Sequence, residues 1–205
     1  MPDLPAFCAL GLGLVLAIGC SNRPPDDTND AAEVAAARVA KDVAFEHGPD
    51  SPVPEDRRAE LLPLGYFPID PSYSVPAVLK PSTNGAIVEM PTSTGDERQM
   101  RRAGTLEFVL KNQPMKLTAF VEATAPDLNH LFVPFTDLTT GTETYAAGRY
   151  LDLDSSATGI YLVDFNRAYH PYCYFDATFD CPYPPAENRL TIPIRAGERL
   201  KTANR

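Results

Sequence analysis

Prolines constrain the fold of this chain more than any other feature of its sequence. The 205 residues include 21 prolines, spread from one end to the other, which is roughly double the average usage of about 5%. A proline removes a backbone donor and interrupts the interior of a helix or of a central strand. We therefore expect many short strands joined by fixed loops rather than long helices.

Apolar and polar residues alternate along much of the chain, which indicates β-strands. The alternation runs over 106–111 and again over 115–122, on either side of the turn "KNQP", and it predicts an antiparallel hairpin. Further strands are predicted at "AIVEM", "HLFVPF", "RYLDLD", "GIYLVDF" and "RLTIPIR". Because helices are confined to the front, the fold class is mainly β: a single antiparallel barrel or sandwich domain with one or two short N-terminal helices.

Two segments before the strands are predicted to be helical. An alanine-rich stretch begins near Thr28 and ends at Gly48, and a shorter helix follows Pro54. The first has few apolar residues, so it is expected to lie lightly on the body or to act as a spacer. The predicted organisation is a lipoprotein-type signal peptide at 1–19, a tether and short helix at 20–50, and a β domain at 51–205.

The N-terminus predicts the compartment. Residues 6–20 are apolar throughout, a length that suits a signal peptide and falls short of the ~20 residues that span a membrane. The run ends in "AIGC", which resembles a bacterial lipobox whose cysteine, here Cys20, is lipidated. Asp3 departs from the usual basic start, and a buried N-terminal hairpin or helix is the competing interpretation. We expect an exported, membrane-anchored lipoprotein, in the outer membrane if the host has two membranes, because Ser21 follows the cysteine.

The predicted compartment affects the expected chemical state of the cysteines. Of the four, Cys8 would leave with the signal peptide and Cys20 would be lipidated, so Cys173 and Cys181 remain. Two cysteines close in sequence in an oxidising compartment predict a disulfide. A metal or reactive-thiol site and two inert free cysteines are the alternatives, and zinc would need two further ligands.

Charge and motifs exclude several classes of function. The net charge of −9 argues against a nucleic-acid partner, because phosphate binding needs a basic surface. The sequence contains no nucleophile elbow, zinc-protease motif, phosphate-binding loop or dinucleotide fingerprint. A three-histidine metal centre would require all three histidines of the chain. No metal and no cofactor are therefore expected.

Candidate site residues cluster in two long blocks, the first around the strand "RYLDLD". Glu143, Tyr145, Arg149 and Tyr150 form one group. Asp152 and Asp154 share a strand face with Tyr150. Two carboxylates on one face could bind a divalent cation through oxygen, and the alternative is a solvated strand end.

The second block contains an acid, a histidine and a cysteine. Asp164 ends an apolar strand and needs a partner if it is buried. Arg149 or Arg189 could supply an ion pair, and the alternative is a pocket acid or base with a raised pKa. His170 stands near Cys173, and with a carboxylate as orienting group the two could form a nucleophile, provided that the thiol is free.

The end of the second block is rich in aromatic and amide groups. Glu187 and Asn188 precede the last predicted strand, where they could anchor a loop through backbone hydrogen bonds. Eight aromatic residues crowd 161–183. They are expected to pack in the core and loops, or to form with carboxylates a surface for sugars or aromatic ligands.

Three blocks of the sequence resemble the signature of the DUF1684 family. They are "LGYFPIDPSYSV", "LFVPFTDLTTGTETYAAGRYLDLD" and "DFNRAYHPYCYFDATFDCPYPPAENRL", and the later "AGERL" is also similar. The resemblance covers about 61–201. It implies a bacterial or archaeal protein without an assigned activity. His170 stands where the family pattern implies asparagine, and members that keep both cysteines without an export signal imply a metal or thiol role for the pair.

Together these features predict an exported, lipid-anchored envelope protein that acts as a binding or structural module. Its partners are expected to be the membrane, through the anchor, and a small-molecule or envelope ligand. The ligand-binding residues are predicted to be Glu143, Arg149, Tyr150, Asp164, Glu187 and Asn188. The alternative function is a hydrolase or metal-assisted enzyme that uses Glu143, Asp164, His170 and Cys173.

Overall fold

The structure, a computed structural model, describes residues 27–155 and 160–201. The predicted signal peptide at 1–19 and the predicted lipidation site Cys20 lie outside these residues.

Within the described residues the chain forms two helices and seven strands. Helix α1 spans Asp27–His47 and α2 spans Arg58–Leu61; the strands are β1 (Ser74–Pro81), β2 (Ile87–Pro91), β3 (Glu97–Leu110), β4 (Gln113–Glu122), β5 (His130–Phe135), β6 (Arg149–Asp154) and β7 (Ile160–Asp164). Neither helix is long and apolar enough to cross a membrane.

The strands form one antiparallel sheet that is nearly closed into a barrel. Their order is β6-β5-β4-β3-β1-β7, and β2 pairs with β3 beside this path. The end strands β6 and β7 lie next to each other. The predicted fold class, a mainly β antiparallel domain with N-terminal helices, is confirmed.

The β3–β4 hairpin follows the alternation of the sequence. Leu106 pairs with Leu117, and both are fully buried. The two-residue turn uses Lys111 and Asn112 at φ 49° and 63°, since a turn with both central residues at positive φ matches the twist of the strands. At Gly104 the register shifts, and a Cβ there would lie 2.3 Å from a backbone oxygen of β1.

The structure differs from the sequence-based prediction at two segments. The segment "RLTIPIR" is not a strand: its buried Leu190 and Ile194 fill the barrel, and a single bridge joins Arg189 to Thr136. In contrast β1, which contains Pro76, is a strand. It pairs with β3 only from Val78 onward, so Pro76 lies where the strand has a neighbour on one side, a place that tolerates proline.

The barrel interior is apolar and contains one buried ion pair. Its apolar side chains come from most of the strands and include Ala77, Leu106, Phe108, Leu117, Val121, Leu131, Val133, Leu151, Val163 and Phe165. Arg149 lies among them at 1% exposure, with Nη2 3.0 Å from Asp137 Oδ2. Its guanidinium also donates to the backbone carbonyls of Ile194, Ala196 and Glu198. This pair ties the C-terminal segment to β6.

Helix α1 packs on the barrel rather than acting as a spacer. Val34 and Phe45 are buried. Arg38 donates to two backbone carbonyls of the body at 2.9 and 3.0 Å, and Lys41 forms an ion pair with Glu198 at 2.5 Å. The few apolar residues of the helix did not indicate this contact, because polar side chains make half of it.

Candidate functional site

Residues 169–183, here called the aromatic segment, cross the outer face of the sheet. At one end Tyr169 exchanges two backbone hydrogen bonds with Tyr150 of β6, at 2.9 and 3.1 Å. At the other end the amide of Tyr183 donates to the Pro91 carbonyl of β2 at 2.8 Å. The segment is thus fixed at both ends and bridges the strands between β6 and β2.

A cleft of about 730 Å³ lies between the aromatic segment and the sheet. The sheet contributes residues of β3 to β6, α1 contributes Lys41, and the segment contributes its side chains from Tyr169 to Pro182. Successive side chains of β6 point to opposite faces of the sheet. Arg149 and Leu151 therefore point into the barrel, while Tyr150 and Asp152 line the cleft. The volume is in the range of small-molecule sites.

Aromatic rings form much of the cleft wall. Tyr150 contacts Phe132 edge-on at 4.8 Å and Tyr169 at 5.8 Å between ring centroids. Tyr172 meets Phe179 at 5.3 Å, also edge-on, and remains 44% exposed. Edge-to-face pairs of this kind fix ring orientation, so the cleft offers preformed ring faces to a ligand.

Charged groups stand among these rings. Asp152 Oδ2 accepts a hydrogen bond from the Tyr169 hydroxyl at 2.7 Å. Asp152 reaches solvent through the cleft, yet the surrounding walls desolvate its carboxyl group and raise its pKa, against the hydrogen bond from Tyr169. Arg98 pairs with Asp180 at 3.0 Å. The cleft therefore combines ring faces with the Asp152 carboxylate, whose pKa is raised, and with cations held in ion pairs.

Of the six predicted ligand-binding residues, Tyr150 lines the cleft. Its hydroxyl donates to the Pro182 carbonyl at 2.6 Å. Arg149 lies in the barrel interior. Glu143 lies elsewhere on the surface, where both of its oxygens accept from Arg195 at 2.8 to 3.0 Å. These bonds hold the pKa of Glu143 below its usual value.

Asp164 finds its partners locally, not at the predicted Arg149 or Arg189. Its Oδ1 accepts from the amide and the side chain of Asn166 at 3.0 and 2.9 Å, which caps the short turn that follows β7. Arg167 lies 3.4 Å from its other oxygen. The residue is buried but has a structural role as a cap.

Glu187 and Asn188 do not line the cleft. Glu187 pairs with Arg102 at 2.8 Å. Asn188 is fully buried and makes three hydrogen bonds with backbone groups of Thr118 and Pro134, at 2.7, 2.8 and 2.8 Å. Asn188 therefore anchors the loop that precedes the C-terminal segment.

His170 is buried and is not paired with Cys173. Its Nε2 accepts from the Tyr145 amide at 3.2 Å, and its Nδ1 lies 3.8 Å from Glu198 Oε2. Burial, with the charges of Arg149 and Lys41, lowers the pKa of His170 to about 3. The imidazole is thus neutral, and the structure does not bring together the catalytic set predicted from Glu143, Asp164, His170 and Cys173.

The predicted disulfide between Cys173 and Cys181 is absent: both are free, buried thiols. The spacing does bring them together, because the amide of Cys173 donates to Cys181 Sγ at 3.1 Å. The short turn at Tyr172–Tyr174 thus places the two cysteines side by side, with no bond between their sulfurs. Nowhere in 27–155 or 160–201 do three or more metal-ligating side chains gather into a candidate site.

Several residues of the cleft escaped the sequence analysis. Alternation in "RYLDLD" did place Tyr150 and Asp152 on one face. Phe179 appeared only as one aromatic residue among eight. Arg98 and Lys41 come from distant segments, and no local pattern connects them with β6.

Comparison with known proteins identifies the family. The model of the family described as "Protein of unknown function (DUF1684)" matches residues 60–199. The solution NMR structure of the uncharacterised protein from gene locus rrnAC0354 of Haloarcula marismortui is similar, with 35% sequence identity and a TM-score of 0.68. The match covers 87% of this chain and 99% of that one. A comparison with curated proteins gives no match. Since the family model covers more than half of the sequence, this chain belongs to the DUF1684 family.

Proposed function

We propose that this chain is an exported, lipid-anchored envelope protein that binds a small, ring-bearing ligand in the cleft beneath the aromatic segment. The observation that carries the proposal is the cleft itself: about 730 Å³, walled by preformed rings and bordered by the Asp152 carboxylate. A binding function needs no catalytic set, which fits the scattered positions of the predicted catalytic residues.

The chemistry of the cleft favours a neutral ring that carries hydroxyl groups, and sugars are the class that we commit to. Rings of Tyr172 and Phe179 offer apolar faces to the flat side of a sugar ring. A carboxylate accepts hydrogen bonds at about four lone-pair positions, of which Tyr169 uses one on Asp152. The cations at the cleft already have carboxylate partners, Arg98 with Asp180 and Lys41 with Glu198, so they favour an anionic ligand less.

The anchoring part of the proposal rests on the sequence of the N-terminus. The apolar run at 6–20 ends in Cys20, and several acyl chains at about 0.8 kcal/mol per buried methylene hold a protein on a membrane permanently. We expect the full chain, expressed in a bacterium with labelled palmitate, to carry the label in the membrane fraction. The Cys20→Ala variant should lose both label and membrane fractionation, whereas an unlabelled wild-type chain would refute the anchor.

Ligand binding is tested with glucose and N-acetylglucosamine by saturation-transfer NMR, with tyramine as the aromatic cation for comparison. We expect a sugar to bind and Tyr172→Ala to weaken its binding about two- to thirteenfold, because each aromatic contact contributes about 0.5–1.5 kcal/mol. Tyr183→Ala is the matched control, since Tyr183 is a 39% exposed ring of the same segment that does not line the cleft. Binding of tyramine alone would overturn the sugar class, and equal effects of both variants would overturn the cleft as the site.

A further inference from the structure

The two thiols lie where the aromatic segment meets the cleft. Cys181 lines the cleft and Cys173 lies directly behind it. Both are buried, at 6% and 7% exposure, and the cleft gives a molecule access to the pair at Cys181. Ser93 holds Cys181 in place, because its hydroxyl accepts from the Cys181 amide at 3.0 Å and donates to the Phe179 carbonyl at 2.9 Å.

The surroundings of the pair favour one thiolate. The Cys181 thiol lowers the pKa of Cys173 to about 6, and the Tyr145 hydroxyl adds to this against the effect of burial. The same interaction between the two sulfurs raises the pKa of Cys181, so the proton that they share rests mainly on Cys181. Ser93 contributes little, since its single proton goes to the Phe179 carbonyl. Burial raises the pKa of Tyr145 to about 12, so this hydroxyl keeps its proton and remains a donor.

We propose that Cys173 and Cys181 form a thiol–disulfide exchange site, in which Cys181 meets small disulfides that enter through the cleft and Cys173 resolves the product. The inference is independent of the ligand proposed above. It is carried by two neighbouring sulfurs, the Tyr145 side chain packed against them and an entrance at one of the two.

The exchange balances without a further reactant. The Cys173 thiolate first takes the proton of Cys181. The Cys181 thiolate then attacks a disulfide RSSR. This attack breaks the RS–SR bond, forms a Cys181–SR bond and releases RS⁻. This RS⁻ takes the proton from Cys173 and leaves as RSH. The Cys173 thiolate then attacks Cys181 Sγ, forms the Cys173–Cys181 bond and releases a second RS⁻. The protein loses two electrons and RSSR gains them.

The test uses the full chain with oxidised and then reduced glutathione, followed by digestion with trypsin. Cleavage after Arg167 and Arg189 yields one peptide, 168–189, that contains both cysteines and neither Cys8 nor Cys20. We expect this peptide to lose two hydrogens with oxidised glutathione and to regain them with reduced glutathione. A peptide that never changes, or an oxidised pair that reduced glutathione leaves intact, would overturn the proposal.

Single variants assign the roles of the two sulfurs. Cys173→Ser should trap a glutathione adduct on Cys181, and Cys181→Ser should form adduct at least about tenfold more slowly, because the remaining sulfur is not at the entrance. An adduct that forms faster on Cys173 than on Cys181 would contradict the assignment.

The role of Tyr145 is tested by a pH profile. In the wild type the alkylation rate of the pair should rise with a midpoint near pH 6, against about 8.5 for an ordinary cysteine. Tyr145→Phe should move the midpoint upward while leaving the circular dichroism spectrum unchanged. A midpoint that stays in place would show that the hydroxyl does not hold the thiolate.

Discussion

The barrel interior and the outer layer, which we define as α1 together with the aromatic segment, both bury aromatic rings, but among different neighbours. In the interior, Phe135 and Phe165 pack edge-on at 5.4 Å among aliphatic side chains. In the outer layer, rings stand beside an acid, two thiols and a lysine: Tyr169 donates to Asp152, and Lys41 lies 4.9 Å from the Tyr169 ring centroid. The interior is suited to hold the fold, and the outer layer is suited to chemistry.

This difference indicates that one part of the chain provides stability and another provides function. Interior residues exclude water and tolerate little change in volume. The outer layer retains polar groups in contact with a cleft, an arrangement typical of a binding site on a rigid scaffold. The four predictions below test this separation, in order of decreasing effect on the stability of the whole domain.

The largest effect is expected from Arg149→Met. This change leaves the Asp137 carboxylate without its cation and three carbonyls without a donor. Loss of one partner of a buried ion pair costs about 3–5 kcal/mol, measured as the free energy of unfolding in urea. Arg195→Ala, which breaks the exposed pair with Glu143, is the control and should leave the midpoint near that of the wild type. Equal midpoints for the two variants would contradict the structural role of Arg149.

Leu117→Ala tests the apolar part of the interior. The side chain is fully buried, and its truncation is expected to lower the free energy of unfolding by about 2–5 kcal/mol through lost contacts and a cavity. Val109→Ala, at 61% exposure on the partner strand of the same hairpin, should change it by no more than about 0.5 kcal/mol. A small loss at Leu117 would mean that the barrel is not the main core.

His170 makes stability depend on pH. Its pKa falls from 6.5 in the unfolded chain to about 3 in the fold, so the unfolded chain binds more protons between these values. The free energy of unfolding should therefore decrease as the pH falls below about 6.5, by up to about 1.4 kcal/mol per pH unit from this group. His170→Asn should lack this part of the slope in urea titrations from pH 7.5 to 4. An unchanged slope would argue that the imidazole is charged in the fold.

Phe45→Ala is expected to loosen α1 without unfolding the barrel. The ring packs edge-on against Phe175 at 5.3 Å and Tyr172 at 6.2 Å. Amide hydrogen exchange should become faster along α1 and stay slow in β3 and β4, because regions of a domain open separately. Val43→Ala, at 54% exposure on the same helix, should leave exchange unchanged. Faster exchange in the β3–β4 hairpin as well would show that the two regions unfold as one.

The sequence predicts the barrel better than the site. Alternation gave β5 and β6 and the β3–β4 hairpin, because one face of each strand is buried in the interior. The alternation failed where tertiary contacts decide whether a segment becomes a strand. β1 is a strand although it contains prolines, and "RLTIPIR" is buried but does not pair as a strand. Phe120 on the outer face of β4 is buried at 1% exposure, since Met90 and Met100 of neighbouring strands cover it. No local pattern could show this cover.

The site depends on residues that are distant in sequence, and for that reason most of it was missed. Tyr150 was predicted because it lies next to other candidates on β6. Lys41 and Phe179 come from a helix and a loop that meet only in the fold. For Asp164, an ion pair with a distant arginine was predicted, whereas Asn166 and Arg167 supply the contacts from the next turn.

The most direct test of the separation is a titration of isotope-labelled protein with N-acetylglucosamine, followed by the amide chemical shifts. The account predicts shifts that centre on Phe132, Asp152 and Phe179 at the cleft. It predicts no shifts at Val78 and Leu162, which are exposed on β1 and β7 away from the cleft. Shifts centred on β1 and β7, or none at all at saturating sugar, would contradict the claim that function resides in the outer layer.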